Sequence, residues 1–274
     1  TAPRIIPPDQ YWEDFSDPAP GGGAGDDDDD ADNDGSTGDE GEVDVEDLPQ
    51  VGPFDPEVIS SDDADALANW LVANGYLITD EMRPLIAEYV AGGMKFLGMK
   101  LAPDAGVQDI APIKMTFDST TPMIPLVLTA VAAEPEMGVL VFIAGSQRYE
   151  PTNYASLFID EELLRADPRN GRTNYYPLIS YLSEQEERKA FFTEWTNSSS
   201  ELTNLTQNTW LGTDDQEEAW DYVEGVAERN VWVSRLYTRL NAVDMTVDPM
   251  FEAVGSAEIS NIHDLRFQPD VHVD

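Results

Sequence analysis

The 274-residue chain carries 54 Asp and Glu against 15 Lys and Arg, a formal net charge of −39, yet 41% of its residues are hydrophobic. A field of that sign repels nucleic acid and anionic headgroups, so neither is expected as a direct partner, while the apolar share suffices for a folded core. With no cysteine, disulfides, thiolate metal sites and cysteine nucleophiles are excluded, and no stretch reaches the roughly 20 apolar residues of a membrane helix.

The chain opens "TAPRIIPPDQ", three prolines in its first eight residues, which predicts an extended arm over 1–20. Thr1 in such an arm is a poor N-terminal nucleophile, because that chemistry needs a threonine opening a buried strand. The start Thr1-Ala2-Pro3 reads as that of a processed or partial product. Within the arm, Tyr11, Trp12 and Phe15 surround two acids, and aromatic surface of that size predicts docking on the chain's own body or on another protein subunit.

Residues 21–51 form an acidic linker in which "DDDDDADNDG" sets Asp30, Asp32 and Asp34 at positions 1, 3 and 5 of a calcium-loop spacing, with Gly35 at 6. Position 12, where a bidentate glutamate belongs, is Gly41, and no helical pattern enters or leaves the loop. Two readings stay open: a calcium site built from Asp30, Asp32, Asp34 and Asp39, or a solvated spacer kept extended by like charges.

From Gly52 the texture becomes that of a folded domain. A short strand to Ile59 precedes a helix with Ser61 as N-cap, an apolar stripe of Ala66, Leu67, Trp70 and Leu71, and Gly75 at its end. A second helix follows over about 80–91, with Pro84 in its first turn. "MKFLGMKL", "IAPIKMTF", "MIPLVLTAVA" and "MGVLVFIAG" then succeed one another as four strands. The predicted fold class is α+β: residues 52–150 form an antiparallel β-meander covered by two helices, and 151–274 form a mainly helical C-terminal region. In that region, 175–195 reads as two helices meeting near Ser183, "SSSELTNLTQNT" as a loop and 214–228 as a helix, while 231–240 fits a helix or a strand equally.

The segments "DDADALANWLVANGY", "YVAGGMKFLGMKL", "PMIPLVLTAVA" and "RLYTRLNAVDMTVDPMF", in this order, resemble the bacterial family known as domain of unknown function 2330. The resemblance implies a secreted or envelope protein, of which this chain would be the C-terminal portion following a signal peptide and a cysteine-containing β-rich part. The inserted Asp tract and the missing cysteines depart from that pattern.

Candidate chemistry is sparse. His263 and His272, with Asp264 and Asp270 nearby, allow a weak zinc site or simply a polar tail. On a helix, Arg235 and Arg239 would share a face with Trp232 near it, either clamping a carboxylate or pairing internally with one of the many acids. The sequons at Asn197 and Asn204 are read as chance. No catalytic residue is assigned. The expectation is a non-catalytic, extracytoplasmic protein (periplasmic, cell-surface or secreted), a binding or structural subunit among other protein subunits. The alternatives are an extracytoplasmic hydrolase using carboxylates or Thr1, and a calcium-dependent surface adhesion protein.

Overall fold

A computed structural model describes residues 4–6, 42–103, 105–106, 113–167, 169–208 and 215–265. The calcium candidates Asp30, Asp32, Asp34 and Asp39, the aromatics Tyr11, Trp12 and Phe15, and His272 lie outside the described residues. The chain divides between Phe117 and Asp118 into two compact units, with the backbone of residues 4–6 belonging to the second.

In the first unit, β2 (Val43–Asp47), β3 (Phe54–Ser61) and β4 (Phe96–Leu101) form an antiparallel sheet in the order β2-β3-β4; β1 (Arg4–Ile6) belongs to the second unit. Helices α1 (Ala64–Ala73) and α2 (Met82–Ala91) pack on each other, and α1 also meets β2 and β3. Ile59 and Leu67 are fully buried, with Leu71, Ile86 and Val90 around the same small core. The N-cap is Asp63 rather than Ser61: its carboxylate accepts from the N–H groups of Asp65 and Ala66 at 2.9 and 3.0 Å, while the Ser61 hydroxyl accepts from Asp63 N–H. Gly75, at φ +80°, follows the C-cap Asn74 as expected. An Asp63→Ala variant is expected to lose about 1 kcal/mol of stability, read as a lower urea midpoint.

Gly98 and Lys100 explain each other's neighbourhood. A Cβ at Gly98 would collide with the Tyr76 hydroxyl, so the glycine gives that ring its seat. Lys100 lies over the same ring, 4.8 Å from its centroid, and its ammonium is 3.2 Å from Glu57 on β3. The single lysine in an otherwise apolar strand is thereby neutralised.

The second unit is a β-rich body, not the mainly helical region read from sequence. Its main sheet has the order β5-β9-β8-β7, from β5 (Met137–Gly145), β7 (Ala155–Leu157), β8 (Ala190–Ser198) and β9 (Trp232–Leu240). All pairs are antiparallel except β7 with β8. Two further pairs are β6 (Arg148–Pro151) with β10 (Phe251–Gly255), and β1 with β11 (Ile262–Asp264), the latter parallel.

The main sheet is buried on both faces. On one face α4 (Tyr175–Glu184) brings Tyr175, Leu178 and Ile179 against Phe192, Leu164 and Leu265. On the other, Phe191, Leu236 and Leu240 meet Leu126, Tyr154, Met245 and Phe251. Two-sided burial is what made β8 and β9 unreadable by period, since both parities of a central strand are apolar.

Five sequence expectations are corrected here. The second half of 175–195 is β8, because Glu187 and Arg188 take φ values of +52° and +58° that end the helical run. The "SSSELTNLTQNT" segment contains α5 (Ser200–Asn208), which packs on α6 (Asp215–Arg229). Residues 113–117 have no regular structure, and "MIPLVLTAVA" holds the short α3 (Leu126–Thr129) with a 3₁₀ turn over Ala130–Ala132. Pro125 starts α3, and Asp248, 121 residues after Val127, caps it by accepting from Val127 N–H at 2.9 Å. The fourth predicted strand, β5, exists but pairs with β9 instead of closing a meander.

Candidate functional site

The polar residues that matter cluster on the α4 face of the main sheet. Odd-numbered residues of β9 point to this face, so Val233, Arg235, Tyr237 and Arg239 line it, and Trp232 points to the other. Arg235 and Arg239 share a face in a strand as they would in a helix, because their spacing is even. The neighbourhood with Trp232 required the helix and is lost.

Arg235 and Glu194 are nearly sealed from solvent at 5% and 3% exposure. Their Nε and Oε2 atoms lie 3.1 Å apart without an aligned hydrogen bond, and the Tyr175 hydroxyl donates to Glu194 Oε1. Glu194 shares the parity of Phe192 and so faces α4, and the register shift of β8 against β9 between Thr193 and Trp195 sets Trp195, one residue on, opposite Arg235 as well. Burial raises the Glu194 carboxyl above its ordinary range, opposed by the Tyr175 hydrogen bond and the Arg235 charge. The Tyr175 hydroxyl is pushed far up by burial and by the adjacent carboxylate.

Nearer solvent, Glu136 is the hub of a second cluster. It accepts from the Ser180 hydroxyl, from Arg188 at 2.5 Å and from Asn241 Nδ2 at 3.4 Å, with Arg239 Nε 3.5 Å away. Its own N–H donates to Asn241 Oδ1 at 2.9 Å, fixing a residue whose φ is +57°. Arg188 also pairs with Glu184, one turn earlier, and Arg239 lies 5.4 Å from the Tyr176 ring centroid. The Ser180 hydrogen bond, then Arg188 and Asn241, lower the Glu136 carboxyl against the opposing effect of burial.

A carboxyl lowered by folding contributes stability above its unfolded value near 4.5, and that contribution is lost as pH falls through the folded value. Glu136→Gln is therefore expected to lower stability by about 1 kcal/mol at neutral pH, allowing for its partial exposure, and by less at pH 3. Chemical denaturation at both pH values checks this; an equal loss at each would remove the carboxylate from the account.

Both arginines are thus internal ion pairs rather than an open carboxylate clamp. His263 is also engaged, with Nδ1 3.1 Å from Glu161 Oε1. Asn197 Oδ1 accepts from Ser198 N–H within β8. Among the described residues, no group of three His, Asp or Glu could hold a metal ion, and no helix is long and apolar enough to cross a membrane.

The edge of β5 away from β9 has no strand on it among the described residues, although α6 also meets β5. Among the described residues, β9 is its sole strand partner, and α4 packs on β8 and β9. Leu140 and Phe142, on the α4 face, stay 43% and 54% exposed, and Arg235 lies 5.8 Å from the Phe142 ring centroid. Gly138 completes this face where the Tyr237 ring lies across it, 3.1 Å from where a Cβ would stand. "MGVLVFIAG" carries neither charge nor proline, the usual protections of an edge strand.

A family model described as "Uncharacterized protein conserved in bacteria (DUF2330)" matches residues 1–249. No curated protein and no solved structure matches the chain.

Proposed function

The chain belongs to the bacterial family of domain of unknown function 2330, and we propose that it is a non-catalytic binding or structural subunit of an extracytoplasmic assembly. The observation that carries this reading is the β5 edge, which has no second strand partner among the described residues: a nine-residue, charge-free strand with exposed Leu140 and Phe142 in a chain of net charge −39. A long apolar edge left in water recruits strands, and proteins keep one open where pairing is its use. The high negative charge keeps the rest of the surface from associating non-specifically and suits a medium rich in salt or divalent cations. The buried Glu194–Arg235 pair and the Glu136 cluster fit the same reading, since their charged groups are spent on one another and rigidify the sheet beneath the edge.

The test places the photocrosslinker p-benzoylphenylalanine at Phe142 in cells of the native host. Crosslinks from this position to protein, lost when the crosslinker is moved to the exposed Glu228 on α6, support the reading. Absence of any protein adduct, together with hydrolytic turnover abolished by Glu136→Gln, overturns it in favour of an enzyme.

A further inference from the structure

We infer that the occupant of the β5 edge is the β5 edge of a second copy of this chain, paired antiparallel about a two-fold axis at Val141. This deepens the subunit reading and rests on it. In the sheet, every second residue of β5 directs its N–H and C=O away from β9, and among the described residues no other strand takes them up.

The side chains make the choice of neighbour. On the open face β5 presents Gly138, Leu140, Phe142 and Ala144, in the order small, large, large, small. Read antiparallel against itself about Val141, this order puts Leu140 opposite Phe142 of the second copy and Gly138 opposite Ala144. The two exposed apolar residues of each copy then cover those of the other, and small residues meet at both ends. Shifted by two one way, Phe142 stands opposite Gly138 with part of its ring in water; shifted the other way, the two Phe142 rings meet and each Leu140 is left against the smaller Ala144.

Charge does not oppose the pairing. Two chains of net charge −39 repel over most approaches, but this strand contributes no charge to the contact. At both ends the chain leaves the strand, through the turn at Glu136 and the bend at Ser146 and Gln147, so the pairing is confined to the charge-free residues. The result is a continuous eight-stranded sheet with both α4 helices on one face. An isologous contact of this kind closes after two copies and leaves no free β5 edge.

The experiment uses the full chain, with mass in solution measured by light scattering at about 0.15 M and about 1 M salt, where the Debye length falls from about 8 to about 3 Å. The wild type is expected at twice the chain mass, with tighter association at high salt. L140K/F142K and L140E/F142E should each run at the mass of one chain with unchanged far-UV circular dichroism. Mixing the two should restore the doubled mass, because each lysine then stands opposite a glutamate. Three results overturn the inference: a wild type at single-chain mass in both salts, a dimer that L140K/F142K leaves intact, and a mixture that does not reassociate. Single-chain protein whose Gly138–Ala144 amides resist hydrogen exchange also overturns it, by showing that another segment of the chain sits there. Crosslinks from position 142 to a different protein would overturn the dimer and keep the subunit reading. A dimer that proves hydrolytic through Glu136 would do the reverse.

Discussion

Arg235→Met is expected to destabilise the second unit by about 3–5 kcal/mol, because it leaves Glu194 buried with no cation beside it. The size follows from the geometry. At 3% exposure Glu194 cannot recover the lost attraction from water, and Tyr175 supplies one hydrogen bond but no charge. Glu194→Gln should also destabilise, since it leaves the guanidinium of Arg235, 5% exposed and unable to shed its charge, without an anion beside it. The double variant R235M/E194M removes both charges and should recover most of the loss, as buried pairs replaced by apolar groups usually do. The pH dependence has a definite sign. A group whose folded pKa is raised gives stability that is complete below its unfolded value near 4.5 and is lost as pH rises through the folded value. Without Arg235 the folded value climbs further, so the deficit of Arg235→Met should grow from pH 5 to pH 8. Urea denaturation at the two pH values measures it, and a deficit independent of pH would mean that packing around the guanidinium stem, not charge, sets the cost.

Why this pair escaped the sequence is a matter of which signals are local. The helices α1, α2 and α6 were legible because each carries an apolar stripe or a polar run that a 3.6 period resolves, and Gly75 marks its boundary at φ +80°. The strand β4 was legible because Phe96 and Lys100 sit on one parity in a short run. By contrast, β8 buries Ala190, Phe191, Phe192, Thr193 and Glu194 in succession, which shows no period at all. Its run "KAFFTEW" held one usable hint: a lone acid among aromatics needs a buried cation, and Arg235 was one of only 15 basic residues available. The partner lies 41 positions away, and the register that sets the two side by side is a property of the β8–β9 pairing, not of either strand. The same holds for α3, whose cap is Asp248, and for Glu136, held by residues from α4 and from the turn after β9. Of the site residues read from sequence, Arg235 and Arg239 were found as a pair by their spacing alone, which is even and so survives the exchange of helix for strand.

The exchange of helix for strand at 190–198 makes its own prediction, and a large one: Phe191→Ala and Phe192→Ala should each cost about 3–5 kcal/mol. Both rings are fully buried, but in different layers. Phe191 meets Tyr154 and Phe251 edge-on, with centroids 5.4 and 5.5 Å away, in the core that includes Leu236 and Leu240. Phe192 lies on the opposite face with Tyr175, Leu178 and Ile179 of α4. In an amphipathic surface helix, neighbours in sequence sit about 100° apart and draw on one shared core, so one of two adjacent truncations is mild or the two are coupled. In a strand buried on both faces, adjacent residues fill separate cores and their losses add. The milder pair F191L and F192L keeps the protein folded while this is measured. Each leucine should lower the denaturation midpoint, and the double variant should show the sum of the two losses to within about 0.5 kcal/mol. A coupling well beyond that, or a Phe192 variant indistinguishable from wild type, would return 190–195 to the helix expected from sequence and would take with it the sheet on which the β5 edge depends.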